Sequence, residues 1–138
     1  MSMKNLISEL ASIDRMLFVV GGGACVSEMY SDGKTQPQFR DRWGMIESGP
    51  WHLHLDMSSI KQAQFVEAED HGAPMLYYVR FSDASDETLL RAYFPNPYLN
   101  DSEERVEFQP DKLSAFEEMR DRHVNGEDVV FVKRPKGA

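Results

Sequence analysis

The run Trp51-His52-Leu53-His54-Leu55-Asp56 alternates apolar and polar residues without a break. That period of two constrains the fold more than any other feature of the chain. Successive side chains of a strand point to opposite faces, so Trp51, Leu53 and Leu55 share one side and His52, His54 and Asp56 the other. The segments Met75–Phe81 and Thr88–Phe94 repeat the pattern and are separated by the polar Ser82–Glu87, which predicts a hairpin. One face of each carries Leu76, Tyr78 and Arg80, or Leu89, Arg91 and Tyr93. The opposite faces are wholly apolar or aromatic. The expected core layer is therefore Trp51, Leu53, Leu55, Tyr77, Val79, Phe81, Leu90, Ala92 and Phe94.

Elsewhere the signals are shorter. Met3, Leu6, Ile7, Leu10 and Ile13 recur at helical spacing behind Ser2, predicting a capped helix over about residues 3–13. Residues 16–20 and 24–30 read as strands flanking Gly21-Gly22-Gly23. Residues 39–46 fit no single period, and Gly49-Pro50 marks a break. A helical turn over 57–62, capped by Asp56 or Ser58, precedes a strand at 63–68. Pro95, Pro97 and Asn100 end the hairpin unit. Pro110 opens a helix over about 111–123 that stops at Asn125-Gly126, and residues 129–132 close the chain as a strand. The fold class is α+β, an antiparallel sheet with helices at each end of the chain, expected as one domain over residues 1–138.

Composition narrows the function. The 138 residues carry 23 acids against 15 bases, a net charge of −8. That sign disfavours nucleic acid and docking on anionic lipid. No apolar run approaches the ~18 residues of a membrane span, so no membrane insertion is expected. Glu9 and Asp14 interrupt what a signal peptide would keep apolar, which points to a cytoplasmic protein. Cys25 is the single cysteine and lies in an apolar stretch, where a buried small hydrophobe is expected. A strand follows the three glycines, with no lysine nearby, so they read as a strand bend rather than a phosphate loop. No G-x-S-x-G or H-E-x-x-H motif occurs. The basic Lys133-Arg134-Pro135-Lys136 reads as a solvated tail.

The polar strand faces hold the remaining chemistry. His-x-His on a strand brings two imidazoles to one side, as metal sites do, although the Glu spacing of the cupin motif is absent. Histidines on a solvated sheet face give the same pattern. If all three alternating strands share one sheet, its second face shows His52, His54, Tyr78, Arg80, Arg91 and Tyr93. A haem surface asks for such a set: an axial His or Tyr, aromatic area, and Arg for propionates.

The ordered pieces FVVGGGACVSEMY, GPWHLHLD, SSIKQAQFVEAEDHG, YYVRFSD and TLLRAYF resemble the haem-iron-utilisation carriers of the HutX/ChuX type. They are also similar to one half of the longer HemS-like haem proteins. The likeness runs from about Arg15 to about His123. It implies a curved antiparallel sheet with flanking helices, a homodimer, and a cytoplasmic protein that binds haem and carries or stores it. It puts His54 first as the ligand of haem iron and His52 second, with Arg80 or Arg91 near the propionates. Both histidines project from one strand face, so they are not the two axial ligands of a single haem within one chain. The rival expectations are a haem-degrading enzyme, as among the longer relatives, and a relative that has lost haem and serves as an interaction module. Should these residues fail, His71 and His123 are the next ligands to try.

Overall fold

The computed structural model describes residues 2–70 and 73–134. The chain opens with helix α1 (Met3–Ala11) and strands β1 (Asp14–Gly22) and β2 (Cys25–Asp32). Strands β3 (Gln38–Arg40), β4 (Trp43–Ser48) and β5 (Trp51–Asp56) follow, then a single 3-10 turn at Met57–Ser59. The second half comprises β6 (Gln62–Asp70), β7 (Ala73–Ser82), β8 (Thr88–Tyr93), helix α2 (Pro110–His123) and β9 (Val129–Arg134). Six strands form one sheet in the order β2-β1-β8-β7-β6-β9, and three form a second in the order β3-β4-β5. The α+β class and the flanking helices stand as expected.

Local chemistry accounts for the ends of these elements. Ser2 Oγ accepts from the Asn5 amide at 3.1 Å and caps α1. Asp56 caps the 3-10 turn through the Ser58 amide at 3.0 Å. Pro110 stands in the first turn of α2, where a missing N–H costs nothing. The glycines form a tight hairpin turn between β1 and β2, with Gly22 paired to Cys25 and Gly23 at φ 63°. A Cβ on Gly21 would stand 2.6 Å from the Cys25 carbonyl oxygen, so no other residue fits there.

Three expectations change. First, β5 does not join the sheet of β7 and β8. The Gly49-Pro50 turn folds it back on β4, with Ser48 opposite Trp51 and Met45 opposite His54. Its hydrogen bonds are met there, and the capped 3-10 turn carries the chain to the other sheet. Second, the large sheet is mixed, because β9 runs parallel to β6. Strands β6 and β8 point the same way, and α2 is the crossover that returns the chain in that direction. Third, Cys25 is exposed. Strand β1 meets β8 only from Leu17 to Val19, so the hairpin tip projects past the sheet. Lys133 and Arg134 belong to β9, while residues 135–138 lie outside the described residues.

The two sheets face each other across one core. Phe18, Phe65, Phe81 and Phe116 are fully buried, as are Leu6, Ile7 and Leu10 of α1. Of the expected layer, Leu55, Tyr77, Val79, Phe81, Leu90, Ala92 and Phe94 are buried, and Trp51 and Leu53 pack against them half-buried. Trp51 joins the sheets: its ring lies 6.0 Å from that of Phe18, and Nε1 donates to the Tyr30 carbonyl at 2.9 Å. The helices meet where Glu9 accepts from Arg122 at 2.8 Å and lies 3.2 Å from Nε2 of the buried His123.

Two outcomes follow from this packing. Leu55→Ala should cost about 2–5 kcal/mol in urea unfolding, and Leu53→Ala roughly half of that, because less of it leaves water. The Arg122 hydrogen bond, opposed by partial burial and aided by His123, holds Glu9 below the usual carboxylate range. A depressed carboxylate adds stability that is complete above its unfolded value of ~4.3 and is lost as pH falls through the lower folded one. Unfolding curves of Glu9→Gln and the parent should therefore differ at pH 7 and draw together as acidification carries pH below the folded value.

Candidate functional site

The core claims one face of the six-stranded sheet, and strand registers define the other. One row runs Tyr30, Leu17, Tyr93, Tyr78, Val66 across β2, β1, β8, β7 and β6. The next runs Glu28, Val19, Arg91, Arg80, Gln64. After β8 the chain does not leave this region. Residues 94–109 form a strap beside the sheet, and together they enclose a cavity of about 430 Å³. That lies within the ~300–1,000 Å³ typical of cofactor and small-molecule sites.

Leu17, Val19, Val26 and Leu76 give the cavity apolar walls, and Arg15, Arg91 and Lys112 are its cations. Two of the three hold the strap. Arg15 donates to the Asp101 carbonyl at 3.0 Å and pairs with its carboxylate at 3.6 Å. Lys112 donates to the Leu99 carbonyl at 2.8 Å. Tyr30 adds a third tie, donating to Glu103 at 2.7 Å. The strap is also ordered within itself, where Gln109 Nε2 donates to the Leu99 carbonyl at 2.8 Å, and tied to β7, where Asn96 Nδ2 donates to the Met75 carbonyl at 2.6 Å. Arg91 is different. Among the described residues its side chain has no hydrogen bond or ion pair, which leaves its five donors for a ligand.

Hydrogen bonding and burial act on the phenols of the lining as well. The hydrogen bond to Glu103, then burial, raises the Tyr30 pKa. Burial foremost, with the charge of Glu67, pushes Tyr77 up to about 12. Both are held as neutral phenols. The Tyr93 ring packs on that of Tyr78 with centroids 4.6 Å apart.

The six expected site residues are thus divided. Arg91 and Tyr93 line the cavity. Tyr78 is buried beneath Tyr93. Arg80 shares their face but is committed to the hairpin turn, donating to Thr88 Oγ1 at 2.7 Å and Asp86 Oδ1 at 2.9 Å. His52 and His54 are exposed on the outer side of β5, in the other sheet. His123 is buried in the core against Phe65, and His71 lies outside the described residues. Arg15, Tyr30, Lys112 and the strap were missed. The contacts of Arg15 and Tyr30 span more than seventy residues of sequence and that of Lys112 crosses a loop, so no local pattern announces them.

A small helical layer on a mostly antiparallel sheet, backed by a short second sheet, is the architecture of the haem-utilisation proteins. The haem-binding protein ChuX superposes with a TM-score of 0.67 at 10% identity, covering 85% of this chain and 69% of ChuX. A protein from Agrobacterium tumefaciens gives 0.64 at 20% identity, over 84% of this chain and 63% of its own. Haem-loaded PhuS, a haem-binding protein from Pseudomonas aeruginosa, gives 0.60 at 14% identity; this chain covers 31% of it. The chain therefore spans about two-thirds of the shorter relatives and one-third of the longer. No curated protein matches the sequence. A family model matches residues 4–119, and the chain belongs to the haem-utilisation family of the HutX/ChuX type.

The strap ties are open to test. Tyr30→Phe removes one hydrogen bond worth ~0.5–1.5 kcal/mol net. Amide exchange within residues 99–105 should accelerate, while that of β7 and β8 stays unchanged.

Proposed function

We propose that this chain binds haem in the cavity beneath the strap and carries or holds it for iron utilisation. The observation that carries the reading is Arg91, an uncommitted guanidinium at an apolar pocket in a chain whose net charge is −8. A planar apolar ring with carboxylate edges suits those walls, and a guanidinium binds carboxylate through paired hydrogen bonds. Haem supplies a porphyrin iron that takes axial donors from the protein. Among the described residues the pocket lining offers phenol oxygens and no imidazole. Tyr93, which lines the cavity two residues along β8 from Arg91, is the donor we assign to iron. His54, the ligand that the resemblance puts first, stands outside the lining.

Support for haem as the ligand comes from the family and from what ChuX and PhuS are described as binding. The haem-degrading enzyme ChuS shares the fold with a TM-score of 0.59 at 13% identity. The carrier reading is supported by the lining, whose apolar walls and Arg91 suit holding a planar ring by its face and its carboxylates. The same reading takes residues 1–138 as one domain, cytoplasmic and homodimeric, with no nucleic-acid partner.

A haemin titration followed by absorbance tests this. Arg91→Ala should weaken binding by about 10- to 150-fold, the equivalent of one charge-assisted hydrogen bond of ~1.5–3 kcal/mol, and leave the Soret maximum in place. Tyr93→Phe should move the maximum, because the coordination sphere changes. His54→Ala should do neither. A Soret shift in His54→Ala alone would relocate the site to the second sheet. Conversion of bound haem by a reductant and oxygen would make the chain an enzyme.

A further inference from the structure

The histidine pair that the haem pocket does not use has a geometry of its own. His52 and His54 stand two residues apart on β5 with ring centroids separated by 5.4 Å. Both are exposed, and among the described residues neither forms a hydrogen bond or an ion pair. Two imidazole nitrogens ~2.05 Å from one ion put their ring centres ~3.2 Å from it; an angle of ~109° at the ion then separates the centres by ~5.2 Å, and ~90° by ~4.5 Å. The observed spacing is within a few tenths of an ångström of the tetrahedral value. Strand β5 is held along its length by β4, so the two Cβ positions are already paid for in folding. Glu47 lies directly opposite His52 in the ladder, on the same exposed side, and its carboxylate has no hydrogen bond or ion pair among the described residues.

We propose that His52 and His54 form a two-imidazole site for a late first-row divalent ion of the Cu2+ and Zn2+ class. Water completes the coordination, and Glu47, opposite His52 in the ladder, adds negative charge to that side of the sheet. Neutral imidazole is the donor such ions favour over oxygen, and affinity along the series peaks at Cu2+. Each bound imidazole must be unprotonated, so the ion leaves on acidification. The site is separate from the haem cavity, since neither histidine lines that cavity.

The test is a Cu2+ titration of tag-free, haem-free protein by calorimetry, with electron paramagnetic resonance of the loaded sample. One ion per chain should bind, with hyperfine structure from two nitrogens. His52→Ala and His54→Ala should each weaken binding on the order of 100-fold, because a chelate becomes a single contact. Zn2+ should compete for the same site. Arg91→Ala should bind Cu2+ as the parent does, which separates this site from the haem cavity. The proposal is overturned if the His52→Ala/His54→Ala double variant binds Cu2+ as the parent does, or if the spectrum shows fewer than two nitrogens. The haemin result for Arg91→Ala is independent of both.

Discussion

Phe116 is the joint on which the rest of this fold depends. Its ring, fully buried, meets Phe65 at 5.7 Å, Tyr77 at 5.3 Å and Phe94 at 5.3 Å, one from each of β6, β7 and the start of the strap. Edge-on aromatic packing of this kind adds to the area already buried. It locks α2 against the core face of the large sheet. With α2 in place, β9 is delivered parallel to β6, and residues 94–109 run beside β8 and β1 on their way to it. The cavity is a consequence of that route.

The two faces of the sheet then take different work. The core face is closed by both helices and by the three-stranded sheet. Along the other face runs the strap, fastened by Arg15, Lys112 and Tyr30 through polar contacts at or near the surface. Contacts of that kind contribute little each and break readily beside an aromatic core. A binding cavity placed there can open without disturbing the structure that supports it. Burying Arg80 in the β7–β8 turn serves the same division. Its guanidinium fixes the hairpin through Thr88 and Asp86, so that Arg91, its cross-strand neighbour, is held in place with its own donors free.

Much of this architecture was legible in the residues. The alternation in 76–81 and 89–94 assigned Tyr77, Val79, Phe81, Leu90 and Ala92 to the core and Arg91 and Tyr93 to the other face, because a strand leaves side chains no third direction. Ser2, Asp56 and Pro110 marked element starts through chemistry confined to a few neighbouring residues. The ambiguous stretch 39–46 became two short strands whose period was interrupted by the turn at Asp41-Arg42. The site was only half legible. Placing His52 and His54 with Arg91 required knowing which strand pairs with β5.

Alternation determines the face a residue takes within its own strand, and it does so locally, through backbone geometry. Which strands then lie side by side is decided by turns and crossovers. Gly49-Pro50 sends β5 back to β4 and away from β7, and α2 brings β9 to β6. The sequence alone therefore determined the elements, the buried face of each strand, and the set of polar side chains available for chemistry. Only the tertiary structure decided which of those side chains meet. Cross-strand pairing and strap closure are contacts between residues far apart in the chain, and their energy exists only once the core has formed.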